Sequence, residues 1–240
     1  MRDERLRWLA VVRHGQSTGN VIAEHAERDG LETIDIPERD ADVPLSDTGR
    51  DQAAAVGQWL TENTPDVAIV SPYLRARQTA EIALGDTGVP VLVDERLRDR
   101  ELGVLDLLTG RGVQARLPHE AARRRRHGKF YYRPPGGESW ADVLLRLRAL
   151  LREVREDHPD GRVVLFAHDA TVLMVRYLAE NLSEAELMAV AAGTAVANCS
   201  VSTWRRAGGM LVPDLFNHVE HLHHEGATPT RQENVNAEPS

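Results

Sequence analysis

Five short apolar runs rich in β-branched residues punctuate the chain, at residues 9–12, 67–71, 89–93, 163–167 and 200–204. Their length and composition predict strands, and the continuity of the first, "LAVV", predicts a strand covered on both faces. Between the runs, apolar positions recur at helical spacing. Ala53, Val56, Trp59 and Leu60 share one face of a helix predicted over residues 48–62, which "TENTPD" ends. Val143, Leu144, Leu147, Leu150, Leu151 and Val154 form the stripe of a longer helix over residues 139–157, stopped by "HPDG". Further helices begin near Leu74 and after Asp169, and "SEAE" at Ser183 to Glu186 fits a capping box. Strands alternating with helices predict an α/β domain with a largely parallel sheet.

Two stretches break this rhythm. Residues 101–137 show no strand pattern and are expected to form an inserted helical lid. Residues 225–240, "EGATPTRQENVNAEPS", have the polar, proline-bearing composition of a disordered tail. That leaves one domain over residues 1–224.

Composition narrows the class. At 240 residues and 42% hydrophobic content the chain can bury one good-sized core. No run approaches the roughly 18 apolar residues of a membrane helix, and "MRDERLR" lacks the apolar segment of a secretory signal, so a cytoplasmic, membrane-free protein is expected. Cys199 is the only cysteine, which rules out an intramolecular disulfide and a thiolate metal cluster. The net charge of -8 argues against general nucleic-acid affinity. A local exception is "AARRRRHGKFYYR", residues 121–133, with Arg123 to Arg126 in a row. It reads either as a solvated helix face or as a collar for an anionic substrate, with Phe130, Tyr131 and Tyr132 free to stack or to pack the lid. Lys129 is the only lysine, so arginine is this chain's default cation.

Candidate chemistry lies where three of the strands end. Arg13 and His14 follow the first run, Arg75 follows "VAIVSPYL" with Arg77 as a neighbour, and His168 follows "VVLFA". In open parallel sheets ligands bind beyond the carboxyl ends of the strands, so these residues are expected to converge. Arginine forks and helix N-termini suit a phosphate, while the absence of a glycine-rich run ending in Lys and Ser or Thr excludes a nucleotide P-loop. In "NHVEHLHH", His218, His221, His223 and His224 have helical spacing but no HExxH signature, and no metal site is expected there.

"VVRHGQSTGN", "PLSDTGRDQA", "SPYLRARQTA", "ERLRDRELG", "PGGES", "FAHDA" and "NCSV" occur in the order found in the histidine phosphatase superfamily, and the chain resembles its phosphoglycerate mutase-like branch. The resemblance implies a three-layer α/β/α sandwich with a mostly parallel central sheet and the helical insertion over the site. It implies His14 as a nucleophile forming a phosphohistidine, with Arg13, Arg75 and His168 binding the phosphoryl group and Ser17 and Asn20 near it. It also implies one carboxyl group as acid and then base. The family's glutamate falls on Asp99, one methylene shorter, and Glu101, two residues on, is the alternative. A second departure is Asp169, where the family commonly has glycine; capping, orienting His168 and contacting substrate all remain open for it. Glu138 and Ser139 are open between a helix cap and a pocket wall. The activity implied is hydrolysis of a small anionic phosphomonoester without cofactor or metal. The alternatives are a phosphoglycerate mutase, whose "NERHYG" text is replaced here by "RDRELG", and a non-catalytic phosphate-binding module. An exposed apolar edge would support a homodimer.

Overall fold

The computed structural model describes residues 5–231. Strands β1 (Trp8–Arg13), β2 (Val67–Val70), β3 (Val91–Val93), β4 (Arg162–Ala167), β5 (Val201–Ala207) and β6 (Met210–His218) form one sheet in the order β3-β2-β4-β1-β5-β6. The first four in that order run parallel, while β5 is antiparallel to β1 and β6 to β5. Register explains the convergence of the strand exits. Arg13 lies opposite Ala167 and Val70 opposite Phe166. β1, β2 and β4 therefore end level, and His14, Ser71 and His168 leave the same rim of the sheet.

Successive side chains of a strand face opposite ways, and each face meets its own helical layer. Leu9, Val11, Ile69, Val163 and Leu165 pack with Leu147 and Leu151 of α6 (Trp140–Asp157), with Leu173 of α7 (Asp169–Glu180) and with Leu187 of α8 (Glu184–Gly193). Trp8, Ala10, Val12, Val70, Val164 and Phe166 pack with α2 (Asp47–Glu62), α3 (Leu74–Leu84) and Leu222 of α9 (Glu220–His224). Burial on both sides is why β1 and β4 read as unbroken apolar runs. The result is the three-layer α/β/α sandwich. Among the described residues, no helix is long and apolar enough to cross a membrane.

The expected strands appear with ends moved by a few residues; the run at 89–93 contributes only Val91–Val93, an exposed edge strand. The hydrophobic pattern did not announce β6, which carries Pro213 opposite Trp204 beside an irregular register, a placement proline tolerates at a sheet edge. α1 (Thr18–Arg28) was also unannounced. Residues 101–137 hold α4 (Gly110–Arg116) and α5 (Pro118–Tyr131) and no named strand. Phe130 joins the main core and Tyr132 a smaller cluster with Leu105, Val113 and Ala121, so two of the three aromatics pack this segment down, while Tyr131 is exposed.

The predicted disordered tail needs correction at its start. Gln52 Nε2 donates to Thr228 O at 2.7 Å and to Thr230 Oγ1 at 3.0 Å, Thr230 Oγ1 donates to Asn198 Oδ1, and Ala197 bridges Arg231. The polar residues that suggested disorder are spent on these hydrogen bonds. The rest of the tail, 232–240, lies outside the described residues.

A glycine pair docks the loop after β1 on the start of α2. Ser46 N donates to Gln16 O at 2.9 Å, Gln16 N donates to Gln52 Oε1 at 2.9 Å, and a Cβ on Gly49 would sit 2.0 Å from Gln16 O. Gly49→Ala is expected to cost about 1–3 kcal/mol, since the obstacle is backbone. It should also depress turnover, because the displaced loop carries His14. Thermal unfolding and steady-state rates check this, and an unchanged Tm would refute the docking argument.

Candidate active site

Each side chain of the site is placed by the end of an element. Arg13 closes β1, buried, with Nη1 donating to Val196 O. His14 follows at 2% exposure, its backbone N–H on Ala167 O at 2.9 Å. Its Nδ1 lies 2.7 Å from Gly15 O. A carbonyl only accepts, so Nδ1 carries the hydrogen and Nε2 keeps its lone pair. Burial, followed by the positive charges of Arg75 and Arg13, holds the imidazole well below its ordinary pKa. His14 is therefore neutral at pH 7, the form a nucleophile requires.

His168 stands at the N-cap position of α7, fully buried, with its ring centroid 5.2 Å from that of His14. Ser71 Oγ lies 2.8 Å from His168 Nε2, and Asp99 Oδ2 lies 3.2 Å from Nδ1. Burial lowers the pKa of His168. With Nδ1 protonated toward Asp99, Nε2 accepts from the Ser71 hydroxyl, which in turn accepts from Tyr73 N at 3.3 Å.

Arg75, in the first turn of α3, is 5% exposed and forks between two carboxylates. Its Nη2 donates to Asp99 Oδ2 at 2.9 Å and its Nη1 to Asp40 Oδ1 at 2.9 Å. Burial works against its charge, but Asp99 and Asp40 outweigh it and raise the pKa. Asp99 also accepts from Arg100 N at 2.8 Å. Burial opposes ionisation of Asp99, yet His168 and Arg75 hold it well below the usual carboxylate range.

The structure thus gathers Arg13, His14, Arg75, Asp99 and His168 and separates the alternatives. Arg77 is exposed. Glu101 is exposed too, and accepts from Tyr73 Oη at 3.2 Å. Ser17 and Asn20 form the capping box of α1, each side chain accepting from the other's backbone N–H at 3.0 Å. Asp169 is not the cap of α7, because His168 occupies that position; its carboxylate accepts from Ala170 N at 2.6 Å. Ser139 caps α6, and the Glu138 carboxylate binds Arg98 at 2.7 Å and Arg146 at 3.0 Å.

Several residues at the site carried no role in the sequence reading. Ser71 sat in plain view at a strand exit, where the reasoning that selected His14 and His168 would have found it. Thr79 Oγ1 accepts from Gly15 N at 3.0 Å and donates to Arg75 O, tying α3 to the histidine loop. Asn198 Nδ2 donates to His14 O at 3.1 Å, and Cys199 N to Arg13 O at 3.1 Å. Asp40 follows no pattern in "ETIDIPERDADVP". The histidine run is divided: His218 ends β6, while His221 is buried in α9 with Nε2 donating to Cys199 O at 3.0 Å, and burial lowers its pKa to about 4.

A sequence model of the histidine phosphatase superfamily (branch 1) matches residues 9–218. The chain is 32% identical over 215 residues to the glucosyl-3-phosphoglycerate phosphatase of Mycobacterium tuberculosis, an overlap of 86% of this chain and 82% of that protein. It is 32% identical over 180 residues to the 2,3-bisphosphoglycerate-dependent phosphoglycerate mutase 2 of Gloeobacter violaceus, covering 73% and 76% of the two chains. Among solved structures, a mycobacterial glucosyl-3-phosphoglycerate phosphatase in complex with VO3 superposes with a TM-score of 0.72 at 29% identity, covering 89% of this chain and 100% of that one.

Proposed function

The chain belongs to the histidine phosphatase superfamily and is a phosphomonoester hydrolase, and we propose that it works through a phosphohistidine at His14. His14 Nε2 attacks phosphorus as the ester P–O bond breaks, and Asp99, protonated at that moment, gives its proton to the departing alkoxide. The Asp99 carboxylate then takes a proton from water, whose oxygen displaces His14 and releases inorganic phosphate. Arg13, Arg75 and His168 hold the equatorial oxygens and stabilise their charge. Asn20, its Oδ1 committed to Ser17 N, offers Nδ2 as a further donor.

Asp99 changes state by exchange. It shares Arg75 Nη2 and His168 Nδ1 with any phosphoryl group that enters. A dianion that takes those donors removes what keeps the carboxylate ionised and adds a repelling neighbour, so the pKa rises toward that of a general acid.

The observation that carries this reading is the contact of His14 Nδ1 with Gly15 O at 2.7 Å, which leaves Nε2 with its lone pair. Rapid quenching with a phosphorus-labelled aryl phosphate tests it: base-stable, acid-labile label is expected on the protein. The lowered pKa has a sign. His14 gains a proton only below its folded pKa, so labelling should persist as pH falls through roughly 6.5, where an ordinary histidine loses half its nucleophile. Absent label, or a midpoint at that ordinary value, would contradict the reading.

The natural substrate is a small phosphorylated molecule, and the glucosyl-3-phosphoglycerate of the mycobacterial relatives is the first to try. A mutase would have to return the phosphoryl group to an acceptor and keep water out, and the text after Leu97 departs from the mutase-like one. We place the protein in the cytoplasm, with residues 101–137 as a lid over the site.

A further inference from the structure

Arg75 spends both ends of its fork on carboxylates, and the mechanism above uses only one of them. Nη2 donates to Asp99 Oδ2 at 2.9 Å and lies 3.4 Å from Asp40 Oδ2. Nη1 donates to two atoms of a single residue, Asp40 O at 2.6 Å and Asp40 Oδ1 at 2.9 Å. Asp40 opens a short 3-10 turn, Asp40–Asp42, in the loop between α1 and α2. The other acid of that turn, Asp42, is spent on Arg39 at 2.9 Å. Only Asp40 reaches inward, and its side chain stays half exposed while that of Arg75 is buried.

The carbonyl and the carboxylate of Asp40 do different work. The carbonyl belongs to the backbone and accepts from Nη1 whatever side chain stands at position 40, so it fixes the guanidinium. The carboxylate puts negative charge where a phosphoryl oxygen has to come. A dianion clamped by Arg75 needs the N–H groups that Asp40 and Asp99 hold, and it meets two like charges. Asp99 answers by taking up a proton. Asp40 has another exit: being half exposed, it can turn into water without the cost that a buried charge would meet.

We propose that the Asp40 carboxylate is a resident competitor of phosphate: it yields Arg75 Nη1 to the phosphoryl group of the substrate and reclaims it as inorganic phosphate departs, which keeps product affinity low. The proposal rests on the phosphatase reading, in which Arg75 clamps the phosphoryl group. Asp40 thus acts through Arg75 as a positioning residue, exchanging hydrogen bonds and moving no proton.

The sign of one change tells a competitor from a brace. If the carboxylate only braced Arg75, its removal would weaken anion binding; a competitor's removal strengthens it. Calorimetric titration with inorganic phosphate, and phosphate inhibition of p-nitrophenyl phosphate hydrolysis, read that sign. Asp40→Asn is expected to lower both constants about tenfold at pH 7, the low end for a charge-assisted hydrogen bond because the side chain is half exposed. Asp40→Ser also keeps the carbonyl and carries the same expectation, should the first variant fold poorly. Asp40→Glu retains the charge and should stay within about twofold of the unaltered protein, as should Asp106→Asn, which removes a neighbouring exposed carboxylate that acts on Asp40. Unlike Asp99→Asn, Asp40→Asn should leave the ratio of kcat/KM on alkyl and aryl phosphates unchanged, since no proton passes through it.

Unchanged or weaker phosphate binding in the neutral variants, with esters still hydrolysed, would overturn the competitor and leave the phosphatase standing. Equal tightening in Asp40→Glu or Asp106→Asn would also overturn it, the first pointing to a loosened loop and the second to diffuse repulsion. So would a shifted leaving-group ratio, which would give Asp40 a part in proton transfer. No hydrolysis of any ester by the unaltered protein would overturn the reading underneath.

Discussion

His14→Ala is expected to reduce turnover by roughly 10^5-fold or more and to leave no labelled protein after a base quench. The magnitude follows from the division of labour. Arg13, Arg75 and His168 can stabilise charge on a phosphoryl group, but none offers a neutral nitrogen with a free lone pair: the guanidiniums are cations, and His168 has Nε2 at Ser71 Oγ and Nδ1 at Asp99. Without the ring, water must attack directly. The remaining donors should still bind inorganic phosphate, which shows that the variant is folded and separates lost chemistry from lost structure. Hydrolysis near the unaltered rate would remove His14 from the mechanism.

Asp99→Asn is expected to cost about 10^2–10^4-fold on an alkyl phosphate, the usual weight of a general acid and base. The loss should be clearly smaller on p-nitrophenyl phosphate, whose leaving group departs without a proton. Inorganic phosphate should meanwhile bind the variant more tightly, because Arg75 Nη2 and His168 Nδ1 no longer serve a competing carboxylate. Glu101→Gln should change either rate by only a few-fold, since that carboxylate is exposed and meets Tyr73 Oη. Equal losses at the two positions, or equal losses on the two leaving groups, would refute the assignment to Asp99.

The strands and long helices were legible because their patterns record burial: β1 and β4 are apolar throughout since both faces are covered, and α6 shows its stripe since only one side is. β6 stayed hidden because a proline-bearing edge strand has no such obligation. At the site, His14, Arg13, Arg75 and His168 could be found from their common position at strand exits. The register of the family pattern already favoured Asp99 over Glu101 although an extended segment puts both on one side, and the coordinates add that Asp99 meets Arg75 and His168 while Glu101 is exposed. The supporting contacts of Thr79, Asn198 and Asp40 were illegible for another reason: they depend on which loops touch, and short sequence patterns do not encode that. The threonines before Arg231 show the same blindness in reverse, since docked polar chain and unstructured polar chain share a composition.

The level ending of β1, β2 and β4 has an evolutionary consequence. His14, Ser71 and His168 are bolted to one rigid rim, whereas residues 102–135 form an excursion that starts beyond it. On the proposed mechanism, a lineage that rewrites residues 102–135 is expected to change which esters are hydrolysed while labelling at His14 persists. The same partition tells an engineer where to randomise and which ledge to leave untouched.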